Sequence, residues 1–433
     1  MDRFQLGLAV AASCLAGLVL AVPGSYGVGP VAQAGAAPGV IACAPAWITG
    51  WQAAPQAAAT EDGLAGTTLR MIVLPQVSGS QLRLRLSNAY GATPLEVGAV
   101  SVARAGEGAA LAEGTQRTVT FTDEPRVVIP AGEEVVSDPV PLHAESGIAL
   151  AVSVFLVTVP ERITRHAVAL RTSFRSGPGD ATLSDASAFP DSVNSWSVLT
   201  GLDVFTARPV NALVAVGDSI TDGVGSGVDV DERWTDALTR RLTDPAALPG
   251  ARMVVLNAGI SRNRLLADDA ERDGDSPLTR FERDVLDPSG ATDVVLHIGT
   301  NDIAVGHNAT EVVDGLRQYV ARTRAEGRRI YLTTITPSTA GAHGTRGAIG
   351  TRNAVNAWMR AQGPLMSDGV FDFAAAVADP ADRDRLAPAY DSGDGLHLSA
   401  AGYQALADAV DITRLSGSPC LGETPAARAA PGR

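Results

Sequence analysis

The chain contains no lysine: all 34 of its basic side chains are arginine. Chemistry that runs through a lysine Schiff base is therefore excluded. Aromatic residues make up only 5% of the sequence, too few to build a broad stacking surface for glycans or bases. The formal net charge is -13, and a nucleic acid or an anionic membrane needs a basic face, so neither is an expected partner. No Gly-x-Ser-x-Gly elbow, phosphate-binding glycine loop, dinucleotide fingerprint or metal-ligand cluster can be found in the sequence. No cofactor is called for.

Cysteine is also scarce, with three in 433 residues. Cys14 falls inside the one long apolar run, Leu6 to Val22, which follows Arg3 and gives way to a small-residue exit at Ala32-Gln33-Ala34. That order of charge, apolar core and small residues reads as a secretory signal over residues 1–34, cut after Ala34. A lipoprotein cysteine at Cys14 is disfavoured, because Ala11 is a poor residue three places before it and the apolar run continues past it. A retained membrane anchor is the other alternative. Export would leave Cys43 and Cys420, neither of them among the His, Asp or Glu neighbours that a metal or nucleophile site needs. In an oxidising compartment they can pair, and closing so long a loop is worth roughly 5 kcal/mol in the chain-entropy account; the other reading is two free thiols.

A chain of this length exceeds one ordinary hydrophobic core, so two domains are expected. From Cys43 to Pro209 the apolar pattern has period two: Leu82, Leu84 and Leu86 alternate with Arg83, Arg85 and Ser87. Met71 to Val77, Val97 to Ala103, Thr118 to Thr122, Arg126 to Ile129 and Ile148 to Val157 are further strand candidates. Residues 43–209 therefore read as an all-β sandwich or jelly-roll-like domain. From Asn211 the rhythm changes to wholly apolar strands alternating with amphipathic helices. The strands are Leu213 to Val216, Met253 to Leu256, Val294 to Ile298, Ile330 to Ile335 and Val370 to Phe373. The helices are Arg233 to Leu242, one opening at Ser276-Pro277, Glu311 to Arg324, Arg352 to Gln362 and Ala400 to Val410. Residues 210–415 thus read as a doubly wound parallel α/β domain. Residues 416–433 are a tail expected to be disordered beyond Cys420.

Four short motifs sit just after apolar runs: Gly217-Asp218-Ser219-Ile220, Asn257-Ala258-Gly259, Gly299-Thr300-Asn301-Asp302 and Asp394-Gly395-Leu396-His397. In a doubly wound sheet such loops share the crevice at the carboxyl ends of the strands. Ser219 is then a nucleophile and His397 its base. Asp394, three residues before His397, is the acid that fixes the imidazole tautomer, with Asp391 as its rival. The N-H groups of Ser219 and Gly259 and the Asn301 amide are candidate oxyanion donors. Of the remaining histidines, His297 reads as a core residue, His143 and His166 belong to the β-domain, and His307 and His343 lie in loops with no acid at useful spacing.

Taken in order, these motifs resemble the four blocks of the SGNH, or GDSL-type, hydrolases over about Asn211 to Leu415. The resemblance implies a flavodoxin-like fold in which Ser219, Gly259, Asn301, His397 and Asp394 hold the roles just given. The longer stretches around Ser219, Gly259 and His397, with Trp47-Ile-Thr-Gly-Trp51, look like a branch with an N-terminal β-domain that includes xylanase-associated arylesterases and acylhydrolases. Two positions depart from it: Gly395 stands in place of a second histidine and Arg262 in place of glycine. The expected activity is a secreted serine esterase acting on short-chain, acetyl-type esters of a small molecule or polysaccharide, with no stable membrane insertion once the leader is removed. An extracellular lipase or phospholipase is the first alternative and a glycan-binding surface protein the second.

Overall fold

The computed structural model describes residues 43–244, 246–270 and 272–424. The leader expected over residues 1–34, with Cys14, lies outside them.

Between Ala46 and Thr206 the strands pair antiparallel. A four-stranded sheet runs in the order Ala46–Gln52, Leu199–Thr206, Gln81–Ser87 and Glu134–Val136. The larger sheet is ordered Asp191–Val193, Ser173–Pro178, Thr67–Val73, Leu150–Thr158, Leu95–Arg104 and Arg117–Val119, with Val127–Ile129 also on Leu95–Arg104. A smaller sheet joins Trp196–Ser197, Arg162–His166 and Gln56–Ala59. Alternation explains the layering: Leu82, Leu84 and Leu86 are wholly buried, whereas Arg83 and Arg85 reach toward solvent. The strand expected over Met71 to Val77 pairs instead over Thr67–Val73, and Pro75, which has no N-H to donate, stands just beyond its end. The Thr118 to Thr122 candidate stops at Val119, before a turn in which Thr122 and Asp123 have φ of 53° and 68°.

From Ala212 onward a single five-stranded parallel sheet takes over, in the order Val254–Gly259, Ala212–Gly217, Ala291–His297, Arg329–Thr333 and Gly369–Phe371. Both faces are covered. Val214, Leu256, Val294 and Leu296 share one core with Leu316 and Val320 of the helix Ala309–Ala325 and with the sandwich residues Leu82 and Val154. Leu213, Ala215, Val255 and Val295 point the other way, against Trp234 and Leu238 of the helix Trp234–Thr243 and Tyr403 and Leu406 of the helix Ala400–Ala409. This two-sided burial is why these strands read as unbroken apolar runs.

The helices start where side chains can take up their free N-H groups. Asn308 and Glu311 form a capping box, Ser399 accepts from the Gly402 N-H, and Thr345 caps a helix over Arg346–Met366 that begins earlier than its apolar period suggests. The helix expected from Ser276 is not an α-helix: a turn leads into a π-helical stretch, Glu282–Leu286, whose Asp287 N-H donates to Glu282 O. The wider winding accompanies the inward turn of Arg280, whose buried guanidinium pairs with Asp284. The last strand ends at Phe371, because Asp372 caps the short helix Phe373–Val377.

The sandwich and the parallel sheet lie within one compact unit. Ala57 N-H donates to Ala270 O at 2.9 Å, Thr49 N-H to Ser289 O at 3.0 Å, and Tyr90 OH to Asp275 Oδ2 at 2.7 Å. The tail does not dissolve at Cys420: it stays packed through Thr424, with Ser416 N-H on Asp293 and the Asn211 N-H on Ser418 Oγ. Cys43 and Cys420 form a disulfide across 377 residues. Peptide mapping without reductant should recover these two cysteines on one linked pair. Replacing both by serine should lower unfolding stability by about 2–5 kcal/mol in urea titration; an unchanged midpoint would show that the bridge contributes nothing.

Candidate active site

Register places the reactive groups. Gly217 pairs with Gly259 on one side and His297 on the other, so three neighbouring strands end at one level. The segments after them leave from the same rim, at the carboxyl ends where crevices form in such sheets. Ser219 opens the four-residue helix Ser219–Asp222, which is capped by Asp218 through the Ile220 N-H. Gly217 must be small here, since a Cβ would stand 2.2 Å from Thr221 Oγ1 and 2.4 Å from His297 O.

His397 arrives from a loop just before the Ala400–Ala409 helix. Its Nε2 lies 2.9 Å from Ser219 Oγ, and its Nδ1 lies 2.6 Å from Asp394 Oδ2. A carboxylate facing Nδ1 puts the proton there, which leaves Nε2 to accept from the serine hydroxyl. Asp394 Oδ1 also receives the N-H groups of Leu396 and His397, so a single side chain both shapes the turn and faces the ring. The rival Asp391 is used otherwise: its Oδ1 accepts from the Gly393 and Gly395 N-H groups. Gly395 has φ of 75°, in the left-handed region that suits glycine, so the departure at this position agrees with its backbone.

Partial burial pulls the Asp394 carboxyl upward, but the hydrogen bonds from the His397 ring and from the two backbone N-H groups outweigh it and hold it at about 2. Burial acts unopposed on His297, whose Nδ1 meets Thr333 Oγ1 at 2.7 Å; it is pushed down to about 4 and stays a neutral core residue. Burial also raises Asp218 to about 7, with the charges of Asp302 and Asp222 adding to the rise.

The expected oxyanion donors part company. Asn301, in the helix Thr300–Ala304, donates one amide hydrogen to Asn263 O at 3.0 Å and keeps a second. The Ser219 N-H has no acceptor among the described residues. The Gly259 N-H already has a partner: it donates to Asn257 Oδ1 at 2.8 Å, inside its own motif. Its smallness serves packing, because a Cβ there would stand 2.2 Å from Asp222 N.

Several neighbours escape a reading of the sequence because their partners are remote in the chain. Asp222 Oδ2 takes both the N-H and the hydroxyl of Ser261, and Asp302 takes the N-H groups of Leu265 and Leu266. The segment between is thereby strung across the rim. Arg262, within it, has φ of 67°, and its N-H has no acceptor among the described residues. Behind it, Arg280 donates to Ala258 O, Gly217 O and Asn263 Oδ1. Tyr90 of the sandwich reaches Asp275 and Arg283, not the reactive groups themselves. His343 comes within 3.2 Å of Thr300 Oγ1, and His166 within 3.2 Å of Asp222 Oδ1. His307 pairs with Glu311 outside the site, and His143 is exposed.

Residues 215–405 match the GDSL-like Lipase/Acylhydrolase family. Among solved structures the chain is similar to Est24, a carbohydrate acetylesterase from Sinorhizobium meliloti, at 20% identity and a TM-score of 0.37, over 46% of this chain and 95% of that one. It is similar also to the M. smegmatis aryl esterase, at 17% identity and a TM-score of 0.37, over 46% and 95%. No curated protein matches the chain.

In a carboxyl NMR titration Asp394 should stay ionised down to about pH 2. Because its folded value lies below the ordinary one near 4, the stability it lends is present above pH 4 and is lost as pH falls through 2. His397→Ala should move the midpoint up toward 4; a midpoint that does not move would mean that the imidazole does not hold the carboxylate.

Proposed function

We propose, from the premise that residues 215–405 belong to the GDSL-like lipase/acylhydrolase family and that the chain is a carboxylic ester hydrolase, that it is a secreted serine esterase for short acyl groups on a hydroxylated leaving group. The observation that carries this reading is the unbroken line Asp394 Oδ2, His397 Nδ1, His397 Nε2, Ser219 Oγ, with steps of 2.6 and 2.9 Å across the ring. Ser219 Oγ attacks the ester carbon while its proton passes to His397 Nε2. The imidazolium so formed is stabilised by Asp394, and it returns the proton to the departing alcohol oxygen as the carbon-oxygen bond breaks. Water, deprotonated by the same imidazole, then cleaves the acyl-serine and releases the acid.

In this reading the tetrahedral oxygen is met by the Ser219 N-H, the free amide hydrogen of Asn301 and the Arg262 N-H. What supports Arg262 is its place between Ser261, tied to the nucleophile helix, and Asn263, tied to Asn301. A polar leaving group is supported by the groove of about 530 Å³ beside the catalytic loop, bordered by Thr339, Asp382, Arg385, Leu386, Pro388, Asp391 and Gly393. Export is supported by the leader read in the sequence and by the disulfide. Among the described residues no helix is long and apolar enough to cross a membrane.

Ser219→Ala should lower turnover of 4-nitrophenyl acetate by at least about 10³-fold, and Asn301→Ala by about 10²–10³-fold. Parallel assays on acetylated xylan and on a long-chain 4-nitrophenyl ester separate the alternatives. Preference for the long chain would favour a lipase, and a parent protein that binds glycan with no ester turnover would leave only the binding reading.

A further inference from the structure

One titratable side chain from the sandwich reaches the nucleophile helix, and the reaction described above makes no use of it. His166 ends the strand Arg162–His166, and its buried ring stacks on Trp196 with centroids 5.5 Å apart. Its Nδ1 lies 2.8 Å from Ala54 O, while its Nε2 lies 3.1 Å from Val168 O and 3.2 Å from Asp222 Oδ1. Acceptors therefore face both ring nitrogens. Only a ring with a hydrogen on each nitrogen, an imidazolium, can donate to all of them. Burial alone would strip that proton, but the Asp222 charge and hydrogen bond outweigh it, and His166 is raised above its ordinary value.

The other charges lining this crevice are matched among themselves. Arg233, which opposes the His166 charge, sits beside Asp236, and Arg171 pairs with Asp231. Asp222 is the carboxylate left for His166. It is also the last residue of the helix that begins at Ser219, and its second oxygen holds Ser261. One carboxylate thus joins the sandwich, the nucleophile helix and the loop that receives Asn301.

We infer that His166 is a positioning residue: while protonated, it clamps Asp222 so that the Ser219 helix and the 261–263 loop keep their mutual geometry, and loss of its proton releases both. The inference rests on the esterase reading. A neutral His166 would set a bare ring nitrogen against an acceptor and leave Asp222 buried without its counter-charge. Because the folded value is raised, the clamp is complete in acid and fails as pH rises through that value.

The test is kcat and KM on 4-nitrophenyl acetate from pH 6 to 10 for the parent and for His166→Gln. We expect the variant to lose kcat about tenfold or more at pH 7 with KM within about threefold, and to lack an alkaline fall in kcat that the parent shows while its circular dichroism stays native. A folded variant with kcat within about twofold of the parent at every pH overturns the inference. Should the variant not fold, the parent decides by ¹⁵N NMR of His166 measured alongside kcat: a joint decline supports the clamp, and kcat level to pH 10 overturns it. A parent with no ester turnover would sink the esterase reading instead, whereas an active parent with an indifferent variant sinks only the clamp.

Discussion

The in-register pairing of three parallel strands is the constraint on which the reactive centre depends. Gly217 stands opposite Gly259 and His297, so the turns carrying Ser219, Ser261 and Asn301 all begin from one level. A slip of one residue in any pair would carry its loop about 3.3 Å along the strand. That exceeds the 2.9 Å separating Ser219 Oγ from His397 Nε2. The apolar cores on both faces hold the register, since the odd and even positions of each strand are committed to different neighbours.

Carboxylates carry that order from the strand ends out into the loops. Asp222 and Asp302 each take two donors from the stretch between Ser261 and Leu266, and Asp394 takes two from its own turn. Asp222 and Asp302 are buried and Asp394 is exposed, yet each carboxylate is matched by donors from the loop it holds, so the loops and the acids depend on each other. Arg280 does the same in opposite sign, its guanidinium gathering two strand-end carbonyls and the Asn263 amide oxygen. The sandwich takes part through His166 and Tyr90, and so lies against the parallel-sheet unit instead of hanging beside it.

Much of this was legible because it is local. Period two in Leu82, Leu84 and Leu86 and the apolar runs from Leu213, Met253 and Val294 report burial directly, and the first three motifs lie at strand ends that such runs mark, whereas the fourth, Asp394 to His397, lies in the loop before the last helix. At Gly259 smallness has two uses: the sequence signals a glycine, and the coordinates add the close packing on Asp222 and the bond of its N-H to Asn257. Ser276-Pro277 has the chemistry of a helix start, and the demand of Arg280 for buried acceptors lies beyond any local pattern. His166 and Asp222 stand 56 positions apart with nothing between them to suggest contact, as is usual for pairs that meet only through tertiary packing.

The link between Cys43 and Cys420 turns almost the whole folded chain into a covalent ring. A protease that severs any one surface loop within that ring produces no separate fragments, only a nicked molecule of unchanged mass apart from one added water. A molecule closed in this way keeps the segments on either side of such a cut covalently joined, where an open chain would hold them by packing alone.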